Sequence, residues 1–369
     1  MTYFKILSFL NFLNLSASCF VFFVLSSCNP DYDYDRINYF VKEIKSDIDT
    51  FTFWNNENVY IIRKTNFTVR APLIIQKGTV IKFDPDSGRS INVLDSGYIV
   101  SQGSIDKRIV FTSIYDDFYG GDNNHDGNSS KPNAGDWNEI YIHSTQSSFF
   151  TNTDFYYGGG SKTKSTIRIG EKTWAEIRNC TFAHNKGGNI DESKGVVNAY
   201  YADYKTRIYN NIFYDNELPL SINNIMSIDN SNTFKNPKDT IQKNKYNSII
   251  INGSTPYTIN SSWYVKEVAF VIDGPQFEIK GDYYLTLGND VVVKFKKNVL
   301  LWIENPISSI RNIDGPGVIL TSIYDDKNMG DTNGDGSATS PSKYDWMIFV
   351  NNEKESLNWS NIFYAKLKE

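Results

Sequence analysis

Short apolar segments of strand length recur along the chain, separated by turn residues. Between Asn66 and Ile114 these are NFTVRAPLIIQ, GTVIKF, SINVLDSGYIV and RIVFTSI. Inside the segments apolar and polar positions alternate. Ile81 and Phe83 flank Lys82, and in the related segment VVVKF Val293 and Phe295 flank Lys294. A two-residue period turns one apolar face inward and leaves the lysine on the other. Ile109 and Phe111, with Val318 and Leu320, repeat the pattern, which a 3.6-residue helical stripe does not keep. The prediction is a nearly all-β body beginning near Phe51.

Two internal repeats organise that body. The stretch from Thr112 to Trp137 returns 209 residues later, from Thr321 to Trp346, with 14 of 26 positions identical and no gap. Between the copies runs a shorter repeat: Ile177, Asn179, Phe182 and Asn185 are matched in spacing by Ile208, Asn210, Phe213 and Asn216, with looser versions at 152–155, 232–234 and 361–363. Successive phenylalanines lie 21 to 31 residues apart, which suits one coil of a β-solenoid whose turns bury their apolar side only against neighbouring turns. Asparagine at strand ends fits left-handed corners and can also stack along the axis. Phenylalanine should stack inward. A first unit is read over 51–247 and a second, shorter one over 248–369. Short strands alone also fit a β-sandwich.

The order GTVIKF, then IVFTS, then a long acidic loop ending in Asp-Trp resembles bacterial surface proteins with right-handed parallel β-helix repeats, whose architecture is shared with pectate lyases. The resemblance covers the chain from about residue 51 onward. It implies the fold: all-β, a right-handed parallel β-helix with a duplicated module start and acidic loop insertions. It is a weaker guide to function, because this architecture carries lyases, hydrolases, adhesins and passive scaffolds.

Charge and composition narrow the partners. Lys plus Arg number 37 against 42 Asp plus Glu, a net charge of −5, and no basic cluster is present, so a nucleic-acid partner is not expected. At the N-terminus, Lys5 precedes a largely apolar run from Ile6 to Leu25 that ends in LSSC. This resembles the lipobox of a bacterial lipoprotein signal peptide, and implies a leader over 1–27, lipidation of Cys28 and stable membrane anchoring. An uncleaved membrane helix is the alternative. Residues 28–50 read as an acidic tether, whose NPDYDYD start resembles signals for the outer face of the outer membrane. The exported body would keep only Cys180 besides Cys28, so no disulfide forms within it.

The duplicated loop carries the clearest chemistry. Asp122, Asn124, Asp126 and Gly127 read D-x-N-x-D-G, as do Asp331, Asn333, Asp335 and Gly336. That is the first half of an EF-hand calcium loop, where oxygens at alternate positions converge on a hard cation and glycine allows the turn. The twelfth position, a glutamate in EF-hands, is Asn133 or Ser342. The missing charge is expected from Asp116, Asp117 and Asp136, matched by Asp325, Asp326 and Asp345. The expected cofactor is structural calcium; a solvated acidic loop is the alternative. Trp137 and Trp346 should close the loops by packing.

Together these readings predict a lipid-anchored, non-enzymatic protein of the outer membrane or cell surface that binds polysaccharide or another surface protein. Tyr156 and Tyr157, with Trp137 and Trp346, are the candidate ligand-contacting aromatics. The alternative is a polysaccharide lyase or glycoside hydrolase, for which Arg168, Arg178, Arg207, Asp191 and Asp203 supply candidate side chains but no recognisable catalytic motif.

Overall fold

From Thr52 to Asn223 each coil lays one short strand on each of three parallel sheets. Pro72–Ile75, Val80–Phe83 and Ile91–Asp95 join a six-, a seven- and a ten-stranded sheet in turn, and the next coil adds Tyr98–Gln102, Ile109–Ser113 and Ile140–Ser144 to the same three. Partners stay in register from coil to coil, as in Ile81↔Phe111 and Phe155↔Phe182↔Phe213. The protein is therefore an all-β parallel β-helix. This computed structural model describes residues 40–85, 88–160, 164–303, 309–350 and 359–368; Cys28 and the leader lie outside them. Its named elements are strands, apart from a 3-10 turn at Trp359–Asn361. The first strand, Phe40–Ile44, falls inside the range read as tether. It lies on Asn58–Ile62 as a mostly exposed edge, so its residues carry no apolar alternation to reveal it.

The inward-facing side chains stack as the repeat implies. Phe111, Phe155, Phe182, Phe213 and Phe234 form a continuous column with successive ring centroids 5.1, 4.8, 5.1 and 5.5 Å apart. Each such pair adds roughly 0.5–1.5 kcal/mol beyond simple burial. The asparagines divide two tasks. Asn152, Asn179 and Asn210 occupy left-handed corners, with φ of 47°, 53° and 56°. Asn185, Asn216 and Asn244 form a buried ladder in which each amide donates to the Oδ1 of the next, at 3.1 and 2.8 Å. Asn211 and Asn232 make a second such step at 3.0 Å. These side chains satisfy backbone groups that the corners leave unpaired, for instance the carbonyls of Phe155, Phe182 and Phe213.

The second unit is not stacked on the first face for face. The ten-stranded sheet runs through both units, but the seven-stranded sheet ends at Ile212–Tyr214 and the six-stranded sheet at Arg207–Tyr209. A four-stranded sheet (Gln276–Ile279, Leu300–Ile303, Trp346–Val350, Ala365–Leu367) and a three-stranded one (Ser261–Trp263, Leu285–Leu287, Ile310–Arg311) complete the later coils. As a result Val292–Phe295 lies in the ten-stranded sheet, whereas its counterpart Val80–Phe83 lies in the seven-stranded one. The duplicated module is shifted by one face. The first acidic loop leaves the seven-stranded sheet and the second leaves the ten-stranded sheet.

Candidate metal centres in the duplicated loops

The lysines that alternation placed on the face opposite the apolar one are buried. Lys82 and Lys294 are both 0% exposed, because each acidic loop folds back over the strand that carries its lysine. Lys82 Nζ donates to the carbonyls of Asp116 (2.9 Å) and Gly121 (2.6 Å). Lys294 Nζ donates to the equivalent carbonyls of Asp325 (2.9 Å) and Gly330 (2.8 Å), and to Thr332 Oγ1 (2.6 Å). Burial pushes both ammonium groups down to about 8, against the favourable charges of Asp116, Asp117 and Asp122 in one loop and Asp325, Asp326 and Asp331 in the other. Around each lysine the loop lays apolar side chains on the outer face of the sheet: Ile114, Tyr115 and Tyr119 on Val59, Ile61 and Val80, and Ile323 and Tyr324 on Ile250 and Val271.

The phenylalanine next to each lysine points the other way and holds the far end of the loop. Trp137 stacks on Phe83 with centroids 4.2 Å apart, and Trp346 on Phe295 at 4.0 Å. Each indole donates to a carbonyl farther along the chain, Tyr156 O at 2.7 Å and Phe363 O at 2.9 Å. Both tryptophans are fully buried, which corrects their reading as ligand-contacting aromatics and leaves them the closing role. Of the other two aromatics, half-buried Tyr156 stacks on Tyr119 of the first loop at 5.4 Å, and Tyr157 stacks on His184 at 5.6 Å.

Between these anchors the D-x-N-x-D-G segments adopt one geometry in both copies. Asp122 accepts hydrogen bonds from the amides of His125 (2.7 Å) and Gly127 (2.9 Å), which hold its carboxyl below the usual range, the Gly127 bond contributing most. Asp331 accepts from Gly334 and Gly336, both at 2.7 Å. The turn requires left-handed residues: Gly127 and Gly336 have φ of 68° and 72° with open space around an added Cβ, so the demand there is conformational. At the position shared by His125 and Gly334 the second copy also meets Tyr246, whose ring a Cβ on residue 334 would strike. In each loop the central asparagine amide donates to the last aspartate, Asn124 to Asp126 and Asn333 to Asp335, both at 2.8 Å.

That arrangement leaves the same oxygens unused in both loops. Oδ1 of Asp117, Asn124 and Asp126, and Oδ1 of Asp326, Asn333 and Asp335, are shielded from solvent and accept no hydrogen bond. In the second loop, carboxylate oxygens of Asp326, Asp331 and Asp335 lie within 4.8 Å of one another. Burial raises the Asp117 and Asp326 carboxyls, and repulsion adds to it from Asp122 and Asp126 in one loop and from Asp331 and Asp335 in the other. The remaining sequence-predicted carboxylates are engaged elsewhere. Asp116 and Asp325 accept from the hydroxyls of Thr112 (2.5 Å) and Thr321 (2.6 Å). Asp136 and Asp345 accept from the amides of Asn133 and Ser342, both at 3.0 Å, and Asp345 also takes Ser322 Oγ at 2.6 Å. These four hold the loop backbone. The sequence missed the lysines, although their duplication beside the loops was a usable signal.

Of the side chains weighed for catalysis, Asp191 is exposed and the other four are occupied with neighbours. Arg168 is bidentate to Glu139 at 2.8 Å and covers the Tyr141 ring, and Arg178 pairs with Glu176 at 2.9 Å. Asp203 caps the Lys205 amide, and Arg207 donates to the carbonyls of Tyr204 and Thr206. No protein-family model, curated protein or solved structure matches the chain.

Proposed function

We propose that the protein is a lipid-anchored, non-enzymatic surface scaffold whose two acidic loops each hold one structural calcium ion, and whose lateral faces bind polysaccharide. The observation that carries the calcium reading is the matched set of shielded, undonated oxygens: Oδ1 of Asp117, Asn124 and Asp126 and of Asp326, Asn333 and Asp335. A buried acceptor without a donor costs about 1–3 kcal/mol, more when charged, and two loops would not keep the same three such oxygens without something to satisfy them. Asp122 and Asp331 complete a donor set of three carboxylates and one amide. An all-oxygen set with several carboxylates suits a hard divalent cation; calcium takes six to eight such ligands in flexible geometry, so backbone carbonyls or water would supply the rest. The ion's work would be structural, offsetting the mutual repulsion of Asp117, Asp122 and Asp126 and of their counterparts.

Two experiments test this. Calcium at a hundredfold excess over its dissociation constant should stabilise the fold by roughly 2.7 kcal/mol per site, and a chelator should reverse the gain. Asp331→Ala with Asp335→Ala should remove about half of the effect. A melting temperature indifferent to calcium and chelator would end the calcium reading. Anchoring through Cys28, and with it placement at the outer membrane or cell surface, is tested by metabolic labelling with an alkynyl palmitate: the label should appear on the wild type and vanish in Cys28→Ala, and a label that persists would refute it.

A further inference from the structure

The shift by one face leaves a break in the solenoid wall, and the break is a cleft. The six-stranded sheet ends at Arg207–Tyr209 and the three-stranded sheet begins at Ser261–Trp263, with only the isolated bridge Ile228↔Trp263 on the near side of the gap. A cavity of about 400 Å³ opens there, within the range of small-ligand sites. Its lining comes from both units. Half-buried Ile225 and Ile259 form an apolar floor, and Tyr204 and Tyr264, 37% and 41% exposed, stand on opposite units as aromatic walls. Arg207, Asp229 and Asn260 supply charged and amide groups at the rim.

Several backbone groups around the cleft are already bonded. Asn232 Nδ2 donates to Ile208 O, Ser231 Oγ and Asn232 Oδ1 accept from the amides of Asn210 and Asn211, and on the other side Ile228 and Tyr264 exchange bonds with Ser262 O and Ile228 O. An extended peptide therefore finds no continuous ladder along Ile208–Asn211 to join. What remains available is side-chain chemistry: ring faces for apolar contact and, beside them, Asp229 Oδ2, the part of the Arg207 guanidinium not bonded to the Tyr204 and Thr206 carbonyls, and Asn260 Nδ2, the Asn260 Oδ1 being taken by the Tyr284 amide. Pyranose rings present that combination, an apolar face edged by hydroxyls.

We infer that the unit junction is an oligosaccharide-binding cleft, in which sugar rings lie against Tyr204 and Tyr264 and their hydroxyls bond to Arg207, Asp229 and Asn260. This rests on the polysaccharide-binding reading above and locates it away from Tyr156 and Tyr157. Saturation-transfer difference NMR tests it, with cellohexaose, mannohexaose, chitohexaose and trigalacturonate as probes and the calcium-loaded protein. At least one probe should receive saturation, and Tyr204→Ala with Tyr264→Ala should cut the signal at least fivefold while Tyr156→Ala leaves it unchanged. Both mutated tyrosines are substantially exposed, so melting should be unaltered; Tyr264→Phe, which keeps the ring, should retain most of the signal. Binding that survives the double substitution and falls in Tyr156→Ala would overturn the cleft and leave polysaccharide binding standing. Absence of saturation transfer to all four probes would overturn both.

Discussion

Lys294 and Phe295 are neighbours on one strand, yet they hold opposite ends of the same loop. The Lys294 ammonium binds the carbonyls of Asp325 and Gly330 outside the sheet, and the Phe295 ring stacks on Trp346 at 4.0 Å inside it. Lys82 and Phe83 do the same for the first loop. A two-residue strand period makes this division automatic, because adjacent side chains point to opposite faces. The loop is thereby clamped across the wall of the β-helix, with its acidic turn held between the clamps.

Replacing Lys294 by Met should loosen the second loop and leave the first intact. The two carbonyls lose a charged donor, a loss of roughly 1–3 kcal/mol, reduced by whatever desolvation the ammonium had imposed. Limited proteolysis with mass spectrometry reads this directly: new cleavage should appear between Asp325 and Trp346 and not between Asp116 and Trp137. Lys82→Met should give the reverse pattern.

The same lysines set a pH dependence. Their folded values are lowered to about 8 from an ordinary 10.5. Below about 8 both states hold the proton, and the folded state carries the full cost of a desolvated ammonium. Between about 8 and 10.5 the unfolded chain binds more protons, so stability rises with pH through that window. The gain is on the order of 3 kcal/mol per lysine at most. Urea unfolding in chelator at pH 7.5 and 9.5 should show the wild type gaining relative to Lys82→Met with Lys294→Met; parallel curves would refute the assignment.

The asparagine ladder should be costlier to break than a corner. Asn216→Ala removes the acceptor of Asn185 and the donor to Phe182 O in a fully buried stack, a loss of about 2–4 kcal/mol. Asn210→Ala keeps the backbone bonds and faces only the left-handed conformation at φ 56°, worth about 1–2 kcal/mol. Denaturant midpoints of the two variants should fall in that order.

Much of this fold was legible because a solenoid writes its inner face into the sequence. The alternation in GTVIKF and IVFTS, and the phenylalanines at coil spacing, both report side chains that really do stack, from Phe111 to Phe234. The outer face was not legible. Alternation marks Lys82 as outward but is silent on what covers the outward side, and a loop more than thirty residues farther on buries it. Nor does a strand's pattern say which sheet it joins: Val80–Phe83 and Val292–Phe295 are nearly the same sequence on different faces. The junction cleft follows from that shift and has no local signature. Within the loops, spacing correctly grouped Asp122, Asn124 and Asp126, whereas only the hydrogen-bond geometry separates Asp117, with its undonated oxygen, from Asp116, which is bound to Thr112.

Proton competition should accompany calcium binding. Asp117 and Asp326 titrate above their ordinary range, so calcium affinity should fall as pH drops through that raised range, while the apo protein loses repulsion and gains stability over the same interval. Calcium titrations in a series of buffers of falling pH check the sign.

The most direct measurement is the number of calcium ions per chain. Isothermal titration of chelator-stripped protein, carried to about 10 mM calcium to cover the weak affinities of extracellular sites, should give two sites in the wild type. It should give one in Asp331→Ala with Asp335→Ala, and none when Asp122→Ala and Asp126→Ala are added. A titration of the wild type indistinguishable from buffer dilution, or a heat signal unchanged in the quadruple variant, would contradict the assignment of the duplicated loops as calcium sites.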